Sequence, residues 1–433
     1  MEGMLCKGQV LESSQGNKYK VVKLLGAGGQ GEVYEVTSGR KHLALKWYFK
    51  TSATESQRKI LENLIEKGCP GKSFLWPQDL VSEDNSGSFG YVMPLRGKEY
   101  RSIVDLMKRK ADPTFENLCR AAFNLTRGYQ MLHQAGYQYR DISFGNVFFN
   151  PDNGEVLICD NDNVSPNGFK DGGVYGTPRF MAPEIVLGKA KPSRNTDLFS
   201  LAVLLFYMFM LSHPLEGRKE AEIKCMDILA MNKLYGTEPI FIFDPKDKSN
   251  RPVKGYHDNA IIYWNIYPTE LRDLFEKSFT IGLREPAKRV TENQWLEIFT
   301  NMMSGIVICP KCGAEVFYDR TKENFGVAHT CWNCESVTKL PSKIQIGRNR
   351  ILITYGAKIY SHHVNGDYDM ETIVGEVVTN PNNPNIWGVK NNSKKNWTYV
   401  KADDSQVPIE PGKAATIAQN AKIDFGKVTS EFI

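Results

Sequence analysis

The 433-residue chain lacks an apolar run long enough to cross a bilayer. Its longest, Leu198 to Leu211, is broken by Ser200 and closed by Ser212-His213-Pro214. A membrane span needs about 20 residues, so this run reads as a buried core helix. The opening MEGMLCKGQVLESS lacks the apolar segment of a secretory signal, and no such leader is expected. An excess of one charge is also missing. Lys and Arg number 54 against 49 Asp and Glu, a net charge of +5. On this length that points to neither a nucleic-acid nor a membrane partner. Dense cysteine pairing is absent too. Of 9 cysteines, four form two C-x-x-C pairs, and Cys6, Cys69, Cys119, Cys159 and Cys225 are scattered among apolar neighbours. That usage suggests a reduced, cytoplasmic chain rather than a disulfide framework. There is no internal repeat and no long low-complexity tract. What remains, 41% hydrophobic and 24% charged residues, is ordinary for a globular protein of two to four domains.

The first chemical signal is Gly26-Ala27-Gly28-Gly29-Gln30-Gly31-Glu32-Val33. Strand-like residues flank it: Val21, Val22, Leu24 and Leu25 before, Val33, Tyr34 and Val36 after. Glycines here let backbone pass close over phosphates, because no Cβ intervenes. A dinucleotide fingerprint would open a helix instead, and the β-rich continuation argues against it. Next, the apolar strand Leu43-Ala44-Leu45-Lys46 carries one lysine, which needs an anion if it faces inward. Helical spacing over Arg58 to Lys67 places Glu62 or Glu66 as its partner, with Glu62 preferred.

Downstream lies Tyr139-Arg140-Asp141-Ile142-Ser143-Phe144-Gly145-Asn146, then a hairpin turning at Asp152-Asn153-Gly154, then Asp160-Asn161-Asp162. Asp141 can accept a hydroxyl proton, while Asn146 and Asp160 supply the oxygen donors Mg²⁺ prefers. The whole set resembles the eukaryotic-type (Hanks-like) protein kinases, whose signatures are a glycine loop, a strand lysine, H-R-D-x-x-x-x-N and D-F-G. Gly176-Thr177, Ala182-Pro183-Glu184, Asp197, His213-Pro214, Arg289 and Leu132-His133 extend the resemblance in the expected order over about 290 residues.

The resemblance implies a bilobal kinase fold, with a β-rich N-lobe over about 17–93 and a helical C-lobe over about 94–306, after a tail at 1–16. It implies ATP and Mg²⁺ as cofactors. Gly26, Gly28, Gly31 and Val33 would cover the nucleotide, and Met93 would line the adenine pocket. Lys46 would hold the α- and β-phosphates, oriented by Glu62. Asp141 would be the catalytic base, with Asn146 and Asp160 as magnesium ligands. Asp197 would brace the catalytic loop, and Arg289 would pair with Glu184.

Four positions depart from the family pattern. Tyr139 replaces histidine, with little expected consequence. Ser143 stands where serine/threonine kinases place a lysine. Asn161-Asp162 replaces Phe-Gly, so Asp162 either adds a carboxylate near the metal or caps a turn. Arg140 implies pairing with a phosphorylated activation segment, for which Ser165, Tyr175 and Thr177 are candidates.

Cys309-Pro310-Lys311-Cys312 and Cys331-Trp332-Asn333-Cys334 form a C-x₂-C…C-x₂-C pattern that suits a structural zinc ribbon over 307–340. Four sulfurs fill a tetrahedral ion and leave no catalytic position; His329 is expected not to ligate. Residues 341–433 carry short alternating runs and turn formers, which read as a small β-sandwich. Its Gly347-Arg348, Ser361-His362-His363 and Asn392-to-Trp397 stretches resemble forkhead-associated (FHA) domains, with Arg348, Ser361 and Asn396 at the phosphothreonine-reading positions. The order kinase, ribbon, FHA-like is similar to bacterial kinases of tellurium-resistance and stress gene clusters. The fold class is therefore multidomain α+β. The expected activity is Mg-ATP-dependent, serine/threonine-directed protein phosphorylation, with protein substrates and a phosphoprotein partner. The alternatives are a nucleotide-binding scaffold and a small-molecule phosphotransferase. The polar stretch from Phe241 to Trp264 reads as a solvated loop.

Overall fold

The computed structural model describes residues 3–83, 87–168, 175–321, 329–338 and 340–433. It divides into two units, residues 1–264 with 273–296, and residues 265–272 with 297–433. A short upstream stretch, residues 265–272, joins the second unit. Side chains explain that: Thr269 Oγ1 donates to Asp319 Oδ2 at 2.8 Å, and the Tyr267 and Phe317 rings lie 5.4 Å apart.

The first unit opens with a six-stranded antiparallel sheet. Its strands are β1 (Val10–Glu12), β2 (Lys18–Ala27), β3 (Gly31–Ser38), β4 (Lys41–Tyr48), β5 (Asp79–Ser82) and β6 (Phe89–Pro94), ordered β1-β2-β3-β4-β6-β5. The stretch expected as a tail supplies β1. Leu5 and Leu11 are buried in one cluster with Tyr19, Val21, Tyr34 and Val36. A three-residue strand carries too little alternation to be seen in sequence. Helix α1 (Glu55–Lys67) starts at Thr54, whose side chain accepts from Gln57 N, and buries Leu61 and Leu64.

Two helices form the centre of the helical lobe. Helix α2 (Phe115–Gln134) buries a broad face, and α3 (Arg194–Met210) is buried almost throughout after a Ser193/Thr196 capping box. The apolar run is thus a core helix, as its length indicated. It starts one turn before Leu198, which places Asp197 in its first turn. The hairpin β7 (Val147–Phe149) and β8 (Val156–Ile158) pairs Val147 with Ile158. Gly154 in its turn has φ +72°, and a Cβ there would come within 2.7 Å of Arg120 Cβ, so glycine is required.

A buried charge network ties α2, α3 and the following chain together. His133 lies 2.5 Å from Glu292 Oε1 and 3.1 Å from Asp197 Oδ2, and Arg194 reaches Glu292 at 2.6 Å. Burial pushes His133 down, but the two carboxylates outweigh it and raise it above 6.5. Burial pushes Glu292 up, but His133 and Arg194 pull it below 4.5, to about 2. A depressed carboxyl stabilises the fold above its unfolded value and loses that contribution as pH falls from about 4.5 toward 2. The raised imidazole stabilises below 6.5 and loses its contribution as pH rises through the folded value. Glu292→Gln is therefore expected to cost about 3 kcal/mol near pH 6, by breaking a buried pair. It should also flatten the acid limb of stability; urea melts at pH 6 and pH 3 check both.

The stretch from Phe241 to Trp264 is pinned rather than free. The rings of Phe243 and Trp264 stack at 4.1 Å, and Arg251 donates to the carbonyls of Ile242 and Asp244. Its far end is helical from Asp258.

In the second unit, Ile306–Ile308 pairs with Glu315–Phe317 and His329–Thr330 with Val337–Thr338. Three sheets follow, over residues 343–432. Ile344, Ile346, Ile359, Val377, Val389, Trp397 and Ile423 share their core. A short helix, Ser361–Asn365, was not foreseen; five residues closed by Gly366 at φ +67° show no helical period. It buries Ser361, whose hydroxyl donates to Asp367 Oδ2 at 2.5 Å and accepts from Asn365. Ser361 is therefore not presented at the surface, whereas Arg348 and Asn396 are exposed.

Candidate active site and metal centre

The glycine turn joins β2 to β3, where Gly28 N donates to Gly31 O at 2.8 Å. A Cβ on Gly31 would sit 2.1 Å from the Trp47 carbonyl, so only glycine lets the turn lie against β4. Below it, Val33, Ala44, Met93, Leu157 and Cys159 belong to one apolar cluster. Gly26, Gly31, Val33 and Met93 share the sheet that carries Lys46, and Gly28 lies in its glycine turn. Among the described glycines, Gly26 and Gly28 have open space around them.

Lys46 is buried on β4 and its ammonium meets three oxygens. Asp162 Oδ2 lies at 2.8 Å, Gln30 Oε1 at 3.3 Å and Asp160 Oδ1 at 3.4 Å. Burial would lower its pKa, but the carboxylates of Asp162 and Asp160 raise it to about 12, so it stays an ammonium. Asp160 is raised by burial, with Lys46 opposing. Glu62 is exposed on α1, as is Glu66. The inward stripe of that helix runs Gln57, Leu61, Leu64, so the expected Glu62–Lys46 pair does not form. Asp162 takes that place, and neither of its anticipated roles covers this. Its signal in the sequence was only a carboxylate where the family has glycine.

Asp141 and Asn146 meet in the loop before β7. Asn146 Nδ2 donates to the Asp141 carbonyl at 2.9 Å and to Asp141 Oδ2 at 3.2 Å. Thr177 Oγ1 donates to Asp141 Oδ1 at 2.7 Å. Asp197 braces the loop by accepting from Tyr139 N at 2.6 Å and Arg140 N at 3.1 Å. The Tyr139 hydroxyl donates to the Cys159 carbonyl, tying the loop to the end of β8. Ser143 is buried and brings no charge. Arg289 forks onto Glu184 through two 2.8 Å bonds.

Of the modification candidates, Ser165 is fully buried in a strand paired with Gln138, so it is not available to a kinase. Thr177 holds Asp141, Tyr175 is exposed, and residues 169–174 lie outside the described ones. Arg140 spends its Nε on the Asn163 carbonyl.

In the second unit, the sulfurs of Cys309, Cys312, Cys331 and Cys334 lie within 4.8 Å of one another. Cys309–Cys334 and Cys312–Cys331 are each 3.6 Å apart, and no disulfide links them. A tetrahedral ion with sulfur at about 2.3 Å needs sulfur–sulfur edges of about 3.8 Å. The geometry therefore fits zinc, and His329 is outside the group. The Ser336 hydroxyl and the Cys312 N–H lower the Cys309 thiol to about 6, toward the thiolate a metal requires. Among the described residues, no helix is long and apolar enough to cross a membrane.

A family model described as protein kinase domain matches residues 19–298. The chain is similar to the probable serine/threonine-protein kinase CCRP1 of Zea mays, 32% identical over 207 residues, 46% of this chain and 32% of that protein. It is 30% identical over 207 residues to serine/threonine-protein kinase PLK1 of Xenopus laevis, covering 46% and 34%. It is 24% identical over 264 residues to serine/threonine-protein kinase PknD of Chlamydia trachomatis, covering 49% and 27%. The chain thus spans about a third or less of these relatives' own length.

Proposed function

The chain belongs to the protein kinase domain family, and on that premise we propose that it transfers the γ-phosphoryl group of Mg-ATP to a serine or threonine hydroxyl of a protein. The observation that carries this reading is one ion pair: the Lys46 ammonium lies 3.4 Å from the Asp160 carboxylate that would hold the cation. Lys46 meets the phosphates with positive charge. Asn146 and Asp160 offer oxygens to Mg²⁺, which supplies charge neutralisation at the transferred group when bound. Asp141 accepts the hydroxyl proton of the substrate, positioned by Asn146 and Thr177. Thr177 on Asp141 supports a hydroxyl-bearing substrate close to that carboxylate. The four cysteines are read as a structural zinc ribbon, and residues 341–433 as an FHA-like module for partner recognition, its exposed Arg348 and Asn396 available to a phosphoprotein. A cytoplasmic location accords with the cysteine usage.

Radiolabelled ATP with the purified chain, beside Asp160→Ala, tests the reading. Label on protein that disappears in the variant supports it. Nucleotide binding without transfer makes the chain a scaffold, and label only on added metabolites makes it a small-molecule phosphotransferase.

A further inference from the structure

We propose that Asp162, from the segment after β8, is the positioning residue for Lys46, doing what a carboxylate on α1 would otherwise do. The inference rests on the kinase reading for its catalytic consequence, though not for its geometry. Both oxygens of the Asp162 carboxylate accept hydrogen bonds from the sheet. Oδ2 receives the Lys46 ammonium at 2.8 Å and the Tyr48 hydroxyl at 2.5 Å, and Oδ1 receives the Tyr91 hydroxyl at 3.3 Å. The side chain is 2% exposed, so the ion pair is shielded from water. A carboxylate so engaged faces the lysine and is not aimed into solvent like a spare metal ligand.

The sheet explains the convergence. Lys46 and Tyr48 are two apart on β4 and share a face, and Tyr91 is the cross-strand partner of Lys46 on β6. Three side chains of one face therefore meet one carboxylate. The helix complements this with a neutral group: Gln57 Nε2 donates to the Asp162 carbonyl at 3.1 Å and reaches the Tyr48 hydroxyl at 3.4 Å. Asn161, fully buried, donates to the carbonyls of Leu75 and Ile158 and so fastens the same segment from its other side. With Gln57, Leu61 and Leu64 as its inward stripe, α1 offers no acid there. The two departures belong together: the helix has lost its inward acid and the third position of Asp160-Asn161-Asp162 has gained one.

The test uses the full chain with Asp162→Asn, Glu62→Gln and Lys46→Met. Asp162→Asn keeps the shape and removes the charge; kcat per folded molecule is expected to fall roughly 10- to 100-fold, the loss of one charge-assisted bond. A merely structural role would lower the folded fraction and leave kcat per folded molecule unchanged. Glu62→Gln is expected to stay within about twofold, like other exposed substitutions. A loss below threefold for Asp162→Asn, or above tenfold for Glu62→Gln, overturns the proposal. A readout without turnover separates this from failure of the kinase reading. Thermal melts of Lys46→Met/Asp162→Asn should fall short of the sum of the singles by a few °C, roughly 1 kcal/mol of coupling. Lys46→Met/Glu62→Gln should be additive. Additivity in the first pair overturns the proposal even if the chain transfers no phosphate.

Discussion

Asp141→Asn is expected to lower the rate of phosphoryl transfer by about 10²- to 10⁴-fold, while nucleotide affinity stays within a few fold of wild type. The size follows from what the change removes. Asparagine is nearly isosteric, so the site keeps its shape, and Thr177 Oγ1 and Asn146 Nδ2 still have an oxygen nearby. What vanishes is the carboxylate proposed to accept the substrate's hydroxyl proton. Lys46 and Asp160, proposed to meet the phosphates and the cation, are unchanged, so binding should survive. Single-turnover transfer to a protein substrate, with nucleotide binding measured by calorimetry, checks both halves. Equal losses in binding and rate would show that Asp141 shapes the site rather than accepting a proton.

Removing metal from the cysteine cluster is expected to have the largest effect on structure. Two short hairpins, Ile306–Ile308 with Glu315–Phe317 and His329–Thr330 with Val337–Thr338, carry the four sulfurs. Among the described residues, the cluster around them buries Cys309, Val316 and Cys331, with Ala314 and Cys334 partly buried. So small an apolar core cannot offset the entropy of ordering that stretch. Structural zinc typically contributes on the order of 10 kcal/mol to such a segment, and that binding free energy is folding free energy. The purified chain should hold one zinc, and Cys331→Ser or a strong chelator should remove it. Amide exchange over 306–317 and 329–338 should then rise toward the unfolded rate. Retention of slow exchange after complete metal loss would mean the hairpins stand without it.

Much of the site was legible before any coordinates because its parts are local. The glycine turn, the strand lysine, Asp141 with Asn146, Asp160 and the C-x-x-C pairs are set by spacing along a few residues, and short spacing constrains geometry. The missed features are not local. β1 is three residues long and gains its stability from pairing with β2 and from burying Leu11 against it. Ser165 looked available for modification until its strand was seen paired and buried.

The identity of the carboxylate on Lys46 shows the division most clearly. Sequence by itself determined that a buried lysine on β4 would need an anion, since an unpaired ammonium in an apolar sheet is too costly. It also determined the chemistry available, Glu55, Glu62 and Glu66 on α1 and Asp160 and Asp162 after β8. Only the tertiary structure decided among them, because the rotational phase of a helix against a neighbouring sheet depends on which side chains pack. Here Leu61 and Leu64 turn inward, their burial carries Glu62 and Glu66 out to solvent, and Asp162 is left facing the lysine.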